Sequence, residues 1–287
     1  MRIRYLTQKV GDVEVFYRTA GREDAPVILL LHGYPTASHM FRNLIPLLSD
    51  RYRLIAPDLP GFGQTKAPPR GKFSYTFDNF AKVIDGFTQA LALERYAVYV
   101  FDYGAPTGFR LAASHPERIS AIISQNGNAY EEGLSHFWKT FQDFWAAPTA
   151  ENREACRATL SPETTKAQYM LGSEKTLVAP DGYELDIAYL AREFQEDIQL
   201  DLIYDYRTNV ALYPSWHEYF RKDKPPILAV WGENDPFFLP PGAKAFKRDQ
   251  PDAEVSFVDA GHFALETRAS EIADRIADFL PRKARFN

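Results

Sequence analysis

The chain has 287 residues, 45% hydrophobic and 25% charged, the proportions of a globular protein able to bury a large core. A formal net charge of −5 argues against the basic face a nucleic-acid partner would want, and no apolar run approaches the length that spans a bilayer. The opening residues carry no signal-peptide core, and the single cysteine, Cys156, has neither a disulfide partner nor metal-ligand companions, so a reduced cytoplasmic setting is expected.

Two short strand patterns open the chain, over residues 2–9 and 13–17. Residues 27–31, Val-Ile-Leu-Leu-Leu, form a continuous apolar run between Pro26 and His32-Gly33. Such runs belong to strands buried on both faces. Similar runs recur at 53–56, 96–101, 119–124, 227–231 and 255–258. Helical patterns fall between them, at 41–48, 77–93, 104–115, 241–249 and 267–280; in the last, Ile272, Ile276, Phe279 and Leu280 share one face. Strand and helix in alternation predict an α/β fold, a doubly wound, mostly parallel sheet with right-handed crossovers.

The alternation stops over 128–219. This stretch has no clean buried strand, is helical in pattern, and is rich in aromatics such as Trp138, Trp145, Tyr206 and Trp216. It is expected to form a helical cap over the carboxyl ends of the strands, leaving 1–127 and 220–287 as the core. Most of these aromatics are expected to serve packing.

Four pieces sit at predicted strand ends. His32-Gly33-Tyr34-Pro35 follows the run at 27–31, and a glycine turn there can aim the Tyr34 backbone N–H into a cleft. The run at 96–101 leads into Asp102-Tyr103-Gly104-Ala105 and then a helix; small residues let strand and helix approach closely. The N–H of Tyr103 would join that of Tyr34 as an oxyanion hole, worth roughly 3 kcal/mol per donor in known hydrolases. Glu233-Asn234-Asp235 and Gly261-His262 follow the last two runs. Nucleophile, acid and histidine in that order form the triad order of one hydrolase class. No Gly-x-Ser-x-Gly competes with Asp102, whose alternative reading is a helix N-cap. Asp235 is preferred as the acid, with Glu233 its rival two residues away. Asp58-Leu-Pro-Gly61-Phe-Gly63 has the composition of a structural turn. His32, His39, His115, His136 and His217 are read as packing or surface residues, His32 being also a candidate for the pocket.

On His-Gly-Tyr-Pro, Asp102, Asp235 and His262, the chain resembles the α/β-hydrolases with an aspartate nucleophile, a group containing epoxide hydrolases, haloalkane dehalogenases and fluoroacetate dehalogenases. The resemblance covers essentially the whole chain and implies the α/β-hydrolase fold, with 128–219 as the cap domain. It carries the nucleophile onto Asp102, the acid onto Asp235, the base onto His262 and the oxyanion donors onto the backbone of Tyr34 and Tyr103. The chemistry implied is attack of Asp102 on an sp³ carbon to give an alkyl-enzyme ester, then hydrolysis of that ester by water activated at His262.

The departures bear on the leaving group. Tyr103 and Tyr34 stand where haloalkane dehalogenases place a halide-gripping Trp and Asn. Tyr103 and Pro106 replace the arginines with which fluoroacetate dehalogenases hold a carboxylate. Epoxide hydrolases share His-Gly-x-Pro and use two cap tyrosines as proton donors. One resembles Tyr206, in Tyr206-Arg207-Thr208-Asn209; the other has no counterpart in Phe137-Trp138-Lys139-Thr140-Phe141. The resemblance therefore implies an epoxide hydrolase-like enzyme acting on a small apolar substrate with water, without metal or cofactor. Trp138, Trp145 and His32 are pocket candidates, and a homodimer is compatible. A dehalogenase is the alternative, and a non-catalytic ligand-binding homologue the second.

Overall fold

The computed structural model describes residues 2–286. Its eight strands are β1 (Arg4–Val10), β2 (Val13–Ala20), β3 (Val27–Leu31), β4 (Arg53–Pro57), β5 (Tyr96–Val100), β6 (Ile119–Gln125), β7 (Ile227–Gly232) and β8 (Glu254–Val258). They form one sheet in the order β1-β2-β4-β3-β5-β6-β7-β8. The pairs β1·β2 and β2·β4 are antiparallel; every other pair is parallel. The continuous apolar runs read as doubly buried strands are the parallel ones, and β3, β5 and β6 are buried along their whole length.

Helices on both faces explain that burial. The flanking helices are α1 (Leu44–Leu48), α2 (Phe77–Ala90) and α3 (Gly104–Ser114); α4 (Lys139–Ala146), α5 (Ala150–Arg157), α6 (Pro162–Met170), α7 (Pro180–Leu190), α8 (Gln195–Asp205) and α9 (Arg207–Asp223) follow, then α10 (Pro240–Asp249) and α11 (Ala264–Lys283). Successive strand side chains point to opposite faces. Leu29, Leu31, Val98 and Val100 therefore join a core with Phe80 and Phe87 of α2, Phe109 of α3 and Phe246 of α10. Ile28, Leu30, Tyr99 and Phe101 join a second core with Leu44 and Leu48 of α1 and with Ile272, Ile276, Phe279 and Leu280 of α11.

Between β6 and β7 the described residues form six α-helices and no strand. The C-terminal half of α9 returns to the core and packs on α3: Phe109 lies 5.3 Å from Trp216 and 5.6 Å from Phe220, ring centre to ring centre. No helix of the described residues is long and apolar enough to cross a membrane.

The chain order reverses between β3 and β5. β4 lies on one side of β3 and β5 on the other, so the loops leaving β3 and β5 diverge and open a crevice at the carboxyl ends of the strands. Tyr34 and Asp102 lie in those two loops.

Candidate active site

Asp102 stands at a sharp corner. After β5 the chain turns through Phe101, Asp102 and Tyr103 into α3, with the Gly104 N–H donating to Phe101 O at 2.7 Å and the Ala105 N–H to Asp102 O at 2.9 Å. Asp102 takes φ of +45°, a conformation that costs a non-glycine residue energy and persists only where its surroundings enforce it. Two glycines permit the corner. A Cβ on Gly33 would lie 2.3 Å from Asp102 Oδ1, and one on Gly104 would lie 2.2 Å from Leu31 O. Both loops need bare backbone where they touch.

Asp102 is buried, and its two oxygens are in different settings. Oδ1 accepts the Tyr34 N–H at 2.6 Å, and the Tyr103 N–H adds a second backbone hydrogen bond to the carboxylate. Oδ2 lies 3.9 Å from His262 Nε2. Burial pushes the Asp102 carboxyl up to about 6, against the opposing pull of His262 and the two backbone N–H groups, while Asp235 pushes it further up.

His262 is fixed from its other nitrogen, with Nδ1 2.8 Å from Asp235 Oδ2. Burial works against the charged ring, but the adjacent Asp235 carboxylate and, beyond the ring, Asp102 outweigh it and raise the His262 pKa. Asp235 is itself held by four donors. Its Oδ1 accepts the Phe237 and Phe238 N–H groups at 2.8 and 3.1 Å; its Oδ2 accepts Asn126 Nδ2 at 2.6 Å as well as His262. Glu233 is exposed, its backbone N–H paired with Val258 O, and takes no part.

Asn126 was not anticipated. It follows β6 at φ of +49° and bridges two strands: its Nδ2 reaches Asp235 and its Oδ1 accepts the Gly232 N–H at 3.0 Å. Gln125 Nε2 continues the network to Asn126 Oδ1 and to His262 O, at 2.6 and 3.1 Å. The signal in the sequence was Gln125-Asn126-Gly127, polar residues ending an apolar run where a buried strand would otherwise end on a cap or turn.

Asp102 and His262 open onto a small cavity of about 40 Å³ available to the centres of water molecules. One wall is Tyr34, Tyr103, Phe237 and Phe238; the helical insertion closes it with Phe137, Trp138, Phe141, Thr159, Leu160, Gln168 and Ile203. A space on this scale holds several waters, or a molecule of a few carbons.

The other sequence candidates are placed as follows. Trp138 lines the cavity, but its Nε1 donates to Phe237 O at 3.1 Å. Trp145 lies outside the lining, stacked on Tyr206 at 6.0 Å, with its Nε1 donating to Ile203 O at 2.7 Å. His32 is a correction to the pocket candidates. It is wholly buried beneath the loop, with Nδ1 3.0 Å from Gly33 O and Nε2 accepting the Leu59 N–H at 2.9 Å, so both ring nitrogens brace backbone. Asp58 braces the turn that follows β4, accepting the Ser38 and Gln64 N–H groups at 2.7 Å each. Tyr206 packs directly behind the wall, 4.5 Å from Trp138 and 6.0 Å from Tyr103, ring centre to ring centre. Burial, the neighbouring Tyr213 and the Asp102 charge all hold its hydroxyl in the protonated form.

Residues 26–269 match the alpha/beta hydrolase fold family, and the chain belongs to it. The chain is an enzyme of the α/β-hydrolase class, and its relatives refine the class without naming a substrate for it. It is 45% identical over 92% of both chains to a hydrolase of Saccharomyces cerevisiae named as uncharacterized. It is 29% identical to a haloalkane dehalogenase of Mycobacterium marinum, over 92% of this chain and 88% of the relative. Among solved structures, haloalkane dehalogenase DbeA from Bradyrhizobium elkani superposes with a TM-score of 0.79 at 23% identity, covering 98% of each chain. A provisionally assigned epoxide hydrolase from Pseudomonas aeruginosa superposes at 0.80 and 19% identity, over 98% of this chain and 96% of that one. At these identities the structural likeness speaks for the fold.

Proposed function

We propose that the protein hydrolyses a small apolar substrate through a covalent ester on Asp102, and that an epoxide is the substrate class. The observation carrying this reading is the division of labour between the carboxylate oxygens: Oδ1 is held by the Tyr34 N–H at 2.6 Å, while Oδ2 faces His262. A serine or thiol nucleophile needs a base to remove its proton. A carboxylate needs none, and Oδ2 attacks the electrophilic carbon as that carbon's bond to its leaving group breaks.

Attack by Oδ2 leaves Oδ1 as the ester carbonyl oxygen, already against the Tyr34 and Tyr103 amides. Water, deprotonated by His262, adds to the ester carbon. The oxyanion forms on Oδ1, where the two N–H donors stabilise it without rearrangement. Collapse frees the product alcohol, and Asp235 steadies the imidazolium in between. Esterification also neutralises Asp102, which removes one of the charges holding the His262 pKa up. The histidine thus becomes a better base at the step that uses it.

Two features favour an epoxide over a carbon–halogen bond. Both cap indoles spend their N–H on backbone carbonyls, so neither Trp138 nor Trp145 offers the donor that would grip a halide. An epoxide oxygen stays attached and is strongly basic, so it needs a proton, and the Tyr206 hydroxyl behind the wall stays protonated. Single-turnover hydrolysis of 1,2-epoxybutane in ¹⁸O-water tests the nucleophile: label is expected in the Asp102 carboxylate. Label confined to the diol, with Asp102→Ala still active, would overturn the reading.

A further inference from the structure

We infer that Gln168, on α6, is the cap donor that meets the leaving oxygen, an inference resting on the alkyl-enzyme reading above. The cavity lining is mostly apolar, and most of its polar groups are already used. Trp138 Nε1 donates to Phe237 O, Thr159 Oγ1 donates to Cys156 O at 2.7 Å, Asp102 accepts the Tyr34 N–H, and His262 is paired with Asp235. The Gln168 side chain, only 6% exposed, borders the cavity and makes no hydrogen bond with the described residues. A largely buried amide left without a protein partner is a cost to folding. An apolar side chain of the same size would close the cavity without that cost.

Gln168 has a polar neighbour on its own helix, outside the cavity lining. Thr165 lies one turn earlier on the same buried face of α6, at the i, i+3 spacing that places side chains together. Its hydroxyl faces the hydroxyl of Tyr34, and neither has a hydrogen bond of ordinary length. The helical insertion thus offers one unpaired polar side chain, Gln168 of α6, to a cavity whose remaining cap residues are Phe137, Trp138, Phe141, Leu160 and Ile203 with the self-satisfied Thr159. Asp102 attacks the carbon from its own side and the leaving oxygen departs to the other. There an amide N–H donates a hydrogen bond to the developing alkoxide, while its proton comes from a hydroxyl. An amide is too weak an acid to give up a proton, so the role of Gln168 is stabilisation of charge. This supplies the second cap contact that the segment 137–141 lacks.

Such a donor acts in one half of the reaction. It helps while the carbon–oxygen bond breaks, and it has no part in hydrolysis of the finished ester. The test uses Gln168→Met, which keeps the length and removes the donor, with 1,2-epoxybutane as probe. In a His262→Gln background, mass gain of the intact protein reports esterification; adding Gln168→Met should slow it by roughly 10- to 100-fold, the loss of one hydrogen bond to a charged group. With His262 intact, the ester once formed in Gln168→Met should decay at the wild-type rate. Esterification unchanged by Gln168→Met overturns the role of Gln168 and leaves Asp102 as nucleophile. Equal slowing of both halves also overturns it, as a general distortion of the site would do that. If the His262→Gln chain gains no mass, both this inference and the nucleophile assignment fall.

Discussion

Asn126 donates its side-chain amide to Asp235 Oδ2 at 2.6 Å, the same oxygen that receives His262 Nδ1 at 2.8 Å. The end of β6 is thereby tied to the acid after β7 and, through it, to the histidine after β8. With the Phe237 and Phe238 N–H groups on Oδ1, the carboxylate has no freedom to turn away. The ring of His262 is consequently aimed at Asp102 by a chain of contacts crossing three strand ends.

The first prediction tests that chain. Asn126→Gly keeps the positive φ at no steric cost and removes the amide. Asp235 then has one donor fewer and the histidine one restraint fewer. Hydrolysis of the ester is expected to slow by about 10-fold, the worth of one charge-assisted hydrogen bond, with esterification unchanged. Rapid-quench mass spectrometry of the alkylated protein separates the two rates.

A second prediction concerns pH. In the proposed mechanism Asp102 must be ionised to attack, and its carboxyl is raised to about 6 by burial, so esterification is expected to fall as pH drops through that value. His262 must be neutral to take a proton from water, and its raised pKa makes ester hydrolysis fall on the acid side as well. Both limbs are therefore acidic. The buried Tyr206 hydroxyl, held protonated, adds no alkaline limb near neutrality. A pH profile of kcat/KM that declines between pH 7 and 9 would contradict these assignments.

Stability should show the cost of the site. The Asp102 carboxyl goes from the ordinary 3.8 to about 6 on folding, so the folded state binds its proton more tightly than the unfolded state does. Stability from this group is fully present below about pH 4 and is lost as pH rises through about 6. At pH 8 the buried charge costs about 3 kcal/mol, at 1.36 kcal/mol per unit. Asp102→Asn removes the charge, keeps an acceptor for the Tyr34 N–H, and suits a positive φ. It is expected to be inactive and several degrees higher in Tm at pH 8, with the gain shrinking at pH 4; differential scanning calorimetry at the two pH values checks this.

The assignment of substrate class rests on Tyr206 and the indoles. Tyr206→Phe is expected to slow opening of 1,2-epoxybutane by about 10²- to 10⁴-fold, the usual worth of a general acid, with the fold intact. Halide release from 1-bromobutane should be slight. Brisk release, abolished by Trp138→Phe and untouched by Tyr206→Phe, would assign the protein to carbon–halogen chemistry.

Much of this architecture was legible before any coordinates, because its signals are local. A doubly buried strand shows itself as an unbroken apolar run, and β3, β5, β6 and β7 each lie within a residue or two of such a run. Asp102, Asp235 and His262 could be singled out because each follows one of those runs within a few residues. The helix expected over 267–280 is preceded by a separate helical turn from Ala264, set off by a kink at Arg268, whose backbone is not helical. No apolar periodicity marks that turn.

Chain order and strand ends by themselves determined the fold class and the four pieces of backbone and side chain gathered at the crevice. Everything that depends on contact between residues distant in sequence was left to the tertiary structure. Between Glu233 and Asp235, burial and four converging donors chose the second. His32 has the position of a pocket residue, yet both its nitrogens are spent on the backbone of its own loop and of Leu59. Trp138 and Trp145 were equal pocket candidates, yet only Trp138 lines the cavity, and the carbonyls of Phe237 and Ile203 hold the two N–H groups. Gln168 carries no periodic or motif signal, and Asn126 shows only as a polar residue just past an apolar run. A hydrogen bond is decided by which groups meet, and residues 109 positions apart, such as Asn126 with Asp235, become neighbours only when the strand ends of the sheet come together.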